Sequence, residues 1–189
     1  MGGSSMLDRM VRAAFLDEHV YEEVEADPGA MRQVVVIVAL NSLASMVGYG
    51  ANLDRPEGVN VGWLFLGGMA LGFLYWALWA LVTYMVGATV LRSQHTHADW
   101  GQLARTTGFA QSPGILRFLG AVPLVGEVFL SAIFIWQFAA MIVAVRQALD
   151  YTSTVRAVAV VVIGQVFVLA LLLAYIALPV LLARTGLRF

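Results

Sequence analysis

Two histidines and an aspartate form an H-x-H-x-D pattern at His95, His97 and Asp99. Imidazole nitrogens together with a carboxylate oxygen suit a divalent transition metal. A spacing of two brings these side chains together only in an extended loop, and a complete site needs more ligands. The further candidates are His19, Glu22, Glu23 and Glu25. Because the pattern is short, we expect no cofactor and keep a divalent metal as the alternative.

A second pair of chemically notable residues, Arg117 and Glu127, lies in apolar surroundings with Pro123 between them. A turn at this proline could bring the two charges face to face as two helices pack. An ionisable residue inside a membrane is a candidate site. The pair is therefore either an ion or proton relay or a structural link between helices. The neighbouring polar residues either line a path through the protein or hydrogen-bond between helices: Gln111, Gln137, Asn41, Ser42, Ser45 and Gln165.

A third group combines Arg105, Arg146, Asp150 and Arg156. Arg146 and Asp150 are four residues apart and can reach each other on a helix, and Asp150 can also reach Arg156 after a turn. The group is either a docking surface for an anionic head group or partner, or a set of cationic anchors neutralised by one acid.

The sequence contains few of the features that are typical of an enzyme or of a nucleic-acid-binding protein. It contains no cysteine, so disulfides, thiolate metal sites and thiol nucleophiles are excluded. No nucleophile elbow, phosphate-binding loop or zinc-protease pattern is present. The formal net charge of -1, without a basic run, argues against nucleic acid as a partner. We therefore expect a protein that is not an enzyme.

The composition places these residues in a membrane protein. Of the 189 residues, 60% are hydrophobic and 12% are charged, whereas a soluble domain has about 25% charged residues. All 11 basic residues are arginines, and they cluster between apolar runs. The fold predicted is an all-α, polytopic transmembrane helical bundle, with the lipid bilayer as its surroundings.

The N-terminal residues precede the predicted bundle. Residues 1–5 resemble the remnant of an expression tag, and residues 6–27 form an amphipathic and then acidic segment. In its first half, Leu7, Met10, Val11 and Ala14 share one helical face, opposite Asp8, Arg9 and Arg12. We expect this helix to lie in the membrane interface with its apolar stripe in lipid. The acidic half is predicted to lie in water beside the membrane.

The transmembrane region covers residues 28–189, with about five spans predicted at 34–51, 61–91, 101–120, 122–145 and 157–183. The third is only half apolar and contains Pro113, so we expect a broken helix buried in the bundle. Gly68 and Gly72 form a G-x-x-x-G pattern, which marks either a dimer seam or close packing inside the bundle. Arginine placement predicts a cytoplasmic N-terminus whether or not the third segment crosses, so it leaves four and five spans open.

Three stretches in this order resemble the Yip domain of the Rab-interacting YIP membrane protein family, in its bacterial branch: YEEVEADP at 21–28, GFAQSPGIL at 108–116 and AVRQALDY at 144–151. The resemblance extends from residue 16 to about 164 and implies five spans with a cytosolic N-terminus. In eukaryotic relatives it implies binding to prenylated GTPases, which we do not transfer to a chain this short.

Two functional hypotheses follow. The first is a non-catalytic protein that organises or recruits within the membrane, with an unknown protein partner or a second copy of itself. The alternative is an oligomeric channel or transporter for a small solute or ion, suggested by the broken third segment and by Glu127. The expected location is a bacterial inner membrane.

Overall fold

The computed structural model describes residues 4–50, 60–94, 96 and 98–185, and all regular structure in these residues is helical. The helices are α1 (Met6–Ala14), α2 (Glu18–Ala26), α3 (Ala30–Gly50), α4 (Val61–Met85), α5 (Trp100–Phe109), α6 (Gly126–Ala148) and α7 (Thr154–Thr185). A π-helical turn, Val86–Val90, continues α4, and a 3-10 segment, Ser112–Ala121, follows α5. The predicted all-α class is confirmed.

Four helical stretches in the described part of the chain are long and apolar enough to cross a membrane: Ala30–Gly50, Val61–Val90, Gly126–Ala148 and Thr154–Ala174. The shortest have 21 residues, which at ~1.5 Å per residue matches about 30 Å of hydrocarbon. Large apolar side chains such as Trp63, Leu66 and Ile135 point outward from them, as lipid-facing surfaces require. A multi-pass membrane protein is confirmed.

The third segment is broken where the sequence predicts it. Helix α5 ends at Phe109, and the 3-10 segment begins three residues later, at Ser112, with Pro113 in its first turn. Proline has no backbone N–H and its ring clashes with the preceding turn of an α-helix, so the helix cannot continue. Of the residues in this region, Leu103, Phe109 and Gly114 are buried inside the bundle.

The broken segment runs beside α3 in the same direction. Three close approaches fix the direction: Gly108 at Val34, Gly114 at Asn41 and the Arg117 backbone at Gly48. A 3-10 helix rises ~2 Å per residue against ~1.5 Å in an α-helix. The nine steps from Gly108 to Arg117, most of them outside α5, therefore cover at most about 18 Å, somewhat less than the about 21 Å of the fourteen steps from Val34 to Gly48. The segment therefore traverses most of the depth that α3 traverses. Together with the four apolar spans it makes five crossings, in agreement with the prediction.

Packing is dense on the membrane side where α3 begins, here called the N-terminal side. The fully buried core includes Val34, Ile37 and Val38 on the first half of α3, with Leu103 on α5 and Val145 on α6. The second half of α3 contributes only small buried residues. The bundle therefore has a close-packed half and, toward the far side, a looser half.

The G-x-x-x-G pattern serves packing inside the bundle. A side chain at Gly68 would overlap the thioether of Met46, and one at Gly72 would overlap Ser42. Helices α3 and α4 therefore approach each other along this glycine face, which is the second of the two interpretations of the sequence.

Candidate functional site

Four spans carry a polar side chain at or next to their middle residue. These are Asn41 in α3, Tyr75 in α4, Gln137 in α6 and Gln165 in α7. The Tyr75 hydroxyl donates a hydrogen bond to Gln165 Oε1 at 2.9 Å. Polar groups cost most at the bilayer centre. Their placement at one depth therefore indicates a polar site at the midplane of the bundle.

The 3-10 segment and the residue before it complete this midplane cluster. The amide of Asn41 donates from Nδ2 to Gln111 Oε1 at 2.6 Å. Arg117 donates from Nη1 to Asn41 Oδ1 at 2.8 Å. The side chains of Asn41 and Gln137 both approach the backbone of Gly114. A side chain at position 114 would overlap their polar atoms, so glycine is needed here. Two buried atoms here lack any hydrogen-bond partner, Arg117 Nε and Gln137 Oε1.

Arg117 points toward the bilayer centre. Its backbone packs against Gly48, whereas its guanidinium reaches Asn41, seven residues earlier in α3. At ~1.5 Å per residue these levels differ by about 10 Å. Arginines in membranes ordinarily extend outward to reach the interface. The inward direction requires compensating polar groups at the midplane.

The structure does not bring Arg117 and Glu127 together. Glu127 is exposed in the first turn of α6, where a carboxylate interacts favourably with the helix dipole. Leu124 has a left-handed φ of 70° and turns the chain back into α6. Because α6 then runs antiparallel to the 3-10 segment, Gln137 faces the midplane cluster, ten residues beyond Glu127.

A cavity of about 1000 Å³ adjoins the midplane cluster. Helices α3, α4, α6 and α7 and the 3-10 segment line it, and it is partly open to the surroundings. The residues of α3 that line it begin at Asn41 and end at Gly50, so it occupies the looser half of the bundle. Most of its wall is apolar or aromatic, including Met46, Phe65, Leu71, Trp76, Phe138 and Leu172. A mainly apolar cavity with a few convergent polar groups is typical of a ligand site.

A second candidate site is the N-terminal platform, defined as α1 and α2. Arg9 is only 6% exposed and its guanidinium lies 2.9 Å from both Glu23 and Asp27. Arg12 lies 2.8 Å from Asp17 and 3.0 Å from Glu23. The acidic residues of α2 therefore neutralise the basic face of α1. The prediction that the acidic half lies in water is therefore corrected, because its charges pair with those of α1 in a network that is partly or fully buried.

The apolar face of α1 remains uncovered. Leu7, Val11 and Phe15 form the exposed ridge, with 67%, 55% and 77% of each residue accessible. The ridge is fixed to the bundle at one end, where Trp136 Nε1 donates to the Ala14 carbonyl at 2.6 Å and the Phe15 ring packs on Trp136. Leu7 and Val11 belong to the predicted stripe, while Met10 and Ala14 are half-buried against the protein.

Two of the predicted cluster residues hold the platform on the bundle. Arg105 donates to the Val24 and Glu25 carbonyls at the C-terminal end of α2, and Arg146 donates to Glu18 near its start at 3.1 Å. These bonds satisfy helix-end carbonyls and neutralise one acid. These direct contacts support the interpretation of Arg105 and Arg146 as anchors.

The other two cluster residues have different surroundings. Asp150 adopts a left-handed φ of 51° just after α6 and is exposed. Arg156 lies over the Tyr151 ring, 5.5 Å from its centroid. The Tyr151 hydroxyl in turn lies 2.7 Å from the Gly87 carbonyl oxygen. The structure therefore does not pair Asp150 with Arg146 or Arg156, and the cation of Arg156 rests on an aromatic face instead.

The metal candidates cannot be assembled from the described residues. His95 and His97 lie outside them. Asp99 caps α5 through a reciprocal capping box with Gln102, in which each side chain accepts from the other's backbone N–H. Within the described ranges no three histidine, cysteine or acidic residues stand close enough to hold a metal ion. The prediction of no cofactor, with a divalent metal at this loop as the alternative, is therefore untested.

The acidity of Glu25 in α2 is strongly perturbed. Its pKa is raised from 4.5 to about 7, chiefly by burial; the carboxylates of Asp150, Glu22 and Asp99 also raise it, whereas Arg105 lowers it. The folded protein therefore holds this proton more tightly than the unfolded chain, and stability falls as the pH rises from 4.5 to 7.

We therefore expect Glu25→Gln to raise the thermal unfolding temperature by several degrees at pH 8 and to leave it unchanged at pH 4.5. Thermal unfolding followed by circular dichroism in detergent measures both values. Glu22→Gln, at an exposed position of the same helix, is the matched control and should have little effect. An equal gain for Glu25→Gln at both pH values would contradict the proposed ionisation.

Sequence reasoning did not single out two residues on which these sites depend, Arg9 and Asn41. Arg9 was placed on a solvated face, although the acids of residues 17–27 already offered it partners of opposite charge. Asn41 was considered only as one of several polar residues. Its central position in a span of otherwise apolar residues was the available signal.

Comparison with protein families gives one match. The model of the family described as the Yip1 domain matches residues 17–182, which include α2, the five crossings and the midplane cluster. The chain has no significant match among curated proteins or among solved structures.

Proposed function

The chain belongs to the Yip1 domain family, and from that premise we propose that it is a non-catalytic membrane protein that organises or recruits within the bilayer. The observation that carries the proposal is the exposed ridge of Leu7, Val11 and Phe15 on a helix clamped to the bundle. A short amphipathic helix free in solution binds membranes weakly. Attachment to five crossings removes that weakness, because the ridge is held at the interface permanently.

The proposed mechanism is insertion of the ridge into one leaflet. An amphipathic helix buries its apolar face about 5 to 10 Å into the boundary between head groups and acyl chains, and it favours loosely packed or curved lipid. The rest of the platform presents the acidic residues Glu18 and Glu22 to water. This outer face is where we propose that a protein partner or a second copy of the chain is recruited.

The proposed orientation places the platform in the cytoplasm of a bacterial cell. With five crossings, seven arginines lie on the N-terminal side: Arg9, Arg12, Arg32, Arg92, Arg105, Arg146 and Arg156. The order of the residues in the sequence assigns the other four arginines to the opposite side: Arg55, Arg117, Arg184 and Arg188. Positive residues favour the cytoplasmic side. The excess supports a cytoplasmic N-terminus and, with it, an exit of the C-terminus on the opposite side.

The ridge is tested by replacing Leu7, Val11 and Phe15 with serine. In giant vesicles from which narrow tubes are pulled, we expect the unmodified protein to be enriched severalfold in the tube and the triple variant to lose that enrichment. Because the chain contains no cysteine, Glu22→Cys accepts a single dye, and labelling from outside selects molecules with the platform on the outer leaflet.

The matched control replaces the same positions conservatively, with Leu7→Met, Val11→Leu and Phe15→Leu, and should retain the enrichment. Equal enrichment of the serine variant would show that the bundle, and not the ridge, responds to curvature. If no variant is enriched and the protein neither self-associates nor binds another protein, the organising function is refuted.

The second candidate is an oligomeric channel or transporter, favoured by the broken third segment and the midplane cluster. Irregular backbone at membrane depth is tolerated where protein or a water-filled cavity surrounds it. The apolar wall of the cavity gives this candidate less support than the ridge gives the first. Dye-reported ion flux in proteoliposomes that depends on Arg117 would reverse the order.

A further inference from the structure

We infer that the midplane cavity binds an anionic amphiphile, whose carboxylate or phosphate head accepts hydrogen bonds from Arg117 and whose hydrocarbon chain fills the apolar space. This ligand is required neither by the platform nor by an organising role, so the inference goes beyond the proposed function.

The first argument is the uncompensated charge of Arg117. Among the described residues its hydrogen-bond acceptors are both neutral, the amide of Asn41 and the hydroxyl of Tyr49, and no acid lies within 4.0 Å of its guanidinium. Its Nε atom is buried without a partner. A buried cation is strongly destabilising unless an anion or several hydrogen bonds compensate it. A planar guanidinium with free donors fits a carboxylate or phosphate group especially well.

The second argument is the direction of the side chain. Arg117 is directed inward along α3: its backbone lies at the level of Gly48, whereas its guanidinium hydrogen-bonds the side chain of Asn41, whose backbone lies about 10 Å deeper. An arginine that needed only water would extend the other way, toward the interface. The inward conformation brings its charge to the end of the cavity where Gln137 also offers an unpartnered oxygen. A protonated or hydroxyl-bearing head group could donate to that oxygen.

The third argument is the character of the remaining space. The volume of about 1000 Å³ is far larger than one water molecule needs. Water requires several polar partners, and the mainly apolar part of the wall away from the midplane cluster supplies few of them. Phe65, Leu71 and Leu172 are instead suited to methylene groups. A hydrocarbon chain from the bilayer would pack against the apolar walls, and an anionic head group would pair with the charge of Arg117. One molecule that carries both parts would fill the cavity and compensate its charge.

The test uses tryptophan fluorescence, because Trp76 and Trp79 line the cavity. In a non-ionic detergent, dibromostearate is expected to quench the purified protein saturably, and unlabelled oleate should reverse the quenching. We expect Arg117→Gln to weaken the apparent affinity at least tenfold. Arg117→Lys, which keeps the charge with fewer donors, should bind with intermediate affinity.

Three further measurements separate the cavity from other binding. Arg156→Gln removes an exposed arginine on Tyr151 and should bind like the unmodified protein. Ser45→Leu fills the cavity without touching a charge and should weaken binding even where Arg117→Gln fails to fold. Lysophosphatidate should compete with dibromostearate, whereas lysophosphatidylcholine and inorganic phosphate should not.

Two results would overturn the inference. If lysophosphatidylcholine competes as well as lysophosphatidate, and Arg117→Gln and Arg117→Lys both bind normally, the cavity holds hydrocarbon without recognising charge. If inorganic phosphate alone displaces the probe, Arg117 binds a free anion and the apolar space has no part in recognition. Neither result bears on the ridge of α1, so the proposed function stands or falls separately.

Discussion

Gly48→Val is expected to prevent the bundle from assembling correctly, with a loss of about 3 kcal/mol in the free energy of unfolding. The backbone carbonyl of Arg117 occupies the space that a side chain at position 48 would need. Because the obstacle is backbone, no rotamer change relieves the overlap, and the 3-10 segment must move away from α3. That movement would also withdraw Arg117 from Asn41.

Thermal unfolding and the monodisperse yield after size-exclusion chromatography measure this effect. The matched control is Gly67→Val, because nothing lies within 4 Å of a side chain at position 67. It should change stability by no more than about 0.5 kcal/mol. Similar losses for both variants would indicate a general intolerance of valine in these spans and would remove the special role of the contact between Gly48 and Arg117.

Arg9→Met is expected to release the platform while the five crossings remain folded. Glu23 and Asp27 would each lose a partner at 2.9 Å. Both carboxylates are about one-third exposed, so water recovers part of the loss, and we expect about 2 to 3 kcal/mol. Backbone hydrogen exchange in residues 6–26 should then accelerate tens- to a hundred-fold. Exchange in the spans should not change.

Arg32→Met is the control for Arg9→Met, since Arg32 is exposed and no acid pairs with it among the described residues. It should leave exchange in the platform unaltered. If Arg9→Met also leaves it unaltered, the buried ion pairs do not hold the platform, and apolar packing by Val20, Tyr21 and Val24 does.

The same network gives the platform a dependence on pH that Arg9→Met should flatten. The hydrogen bond from Ser4 and the guanidinium groups of Arg9 and Arg12 lower the pKa of Glu23, and Arg9 lowers that of Asp27. Groups with a lowered folded pKa stabilise the fold above their ordinary values, here 4.5 and 3.8, and this stabilisation is lost as the pH falls below them. The unmodified platform should therefore loosen in acid.

The spans and the break in the third segment were predictable because their causes are local. Apolar runs of sufficient length identify α3, α4, α6 and α7, and Pro113 identifies the end of α5. The acidic residues of α2 could also be located, yet their partners could not. Pairing of Arg9 with Glu23 depends on how two short helices fold onto each other. Helices α1 and α2 are joined by a turn in which Leu16 has a left-handed φ, and leucine at this position does not predict such a turn.

The midplane cluster was only partly predictable for a related reason. Arg117, Gln111 and Gln137 were candidates because polar groups in apolar runs are conspicuous. The partner chosen by Arg117, however, was misjudged, since proximity across Pro123 favoured Glu127. Asn41 lies 76 residues away in the sequence, and its selection depends on the parallel course of the 3-10 segment along α3. A change from ~1.5 to ~2 Å rise per residue sets that register.

The position of the third segment also constrains the order in which the protein is built. With Arg105, Gln111 and Arg117, this segment would enter lipid unfavourably as an isolated helix. Asn41 is synthesised before the third segment and can hydrogen-bond its polar residues as soon as they enter the membrane, whereas Gln137 emerges from the ribosome later. We therefore expect the third segment to insert in two steps, packing first against α3 and afterwards against α6. Depletion of factors that hold unfinished membrane helices should affect this segment before any other.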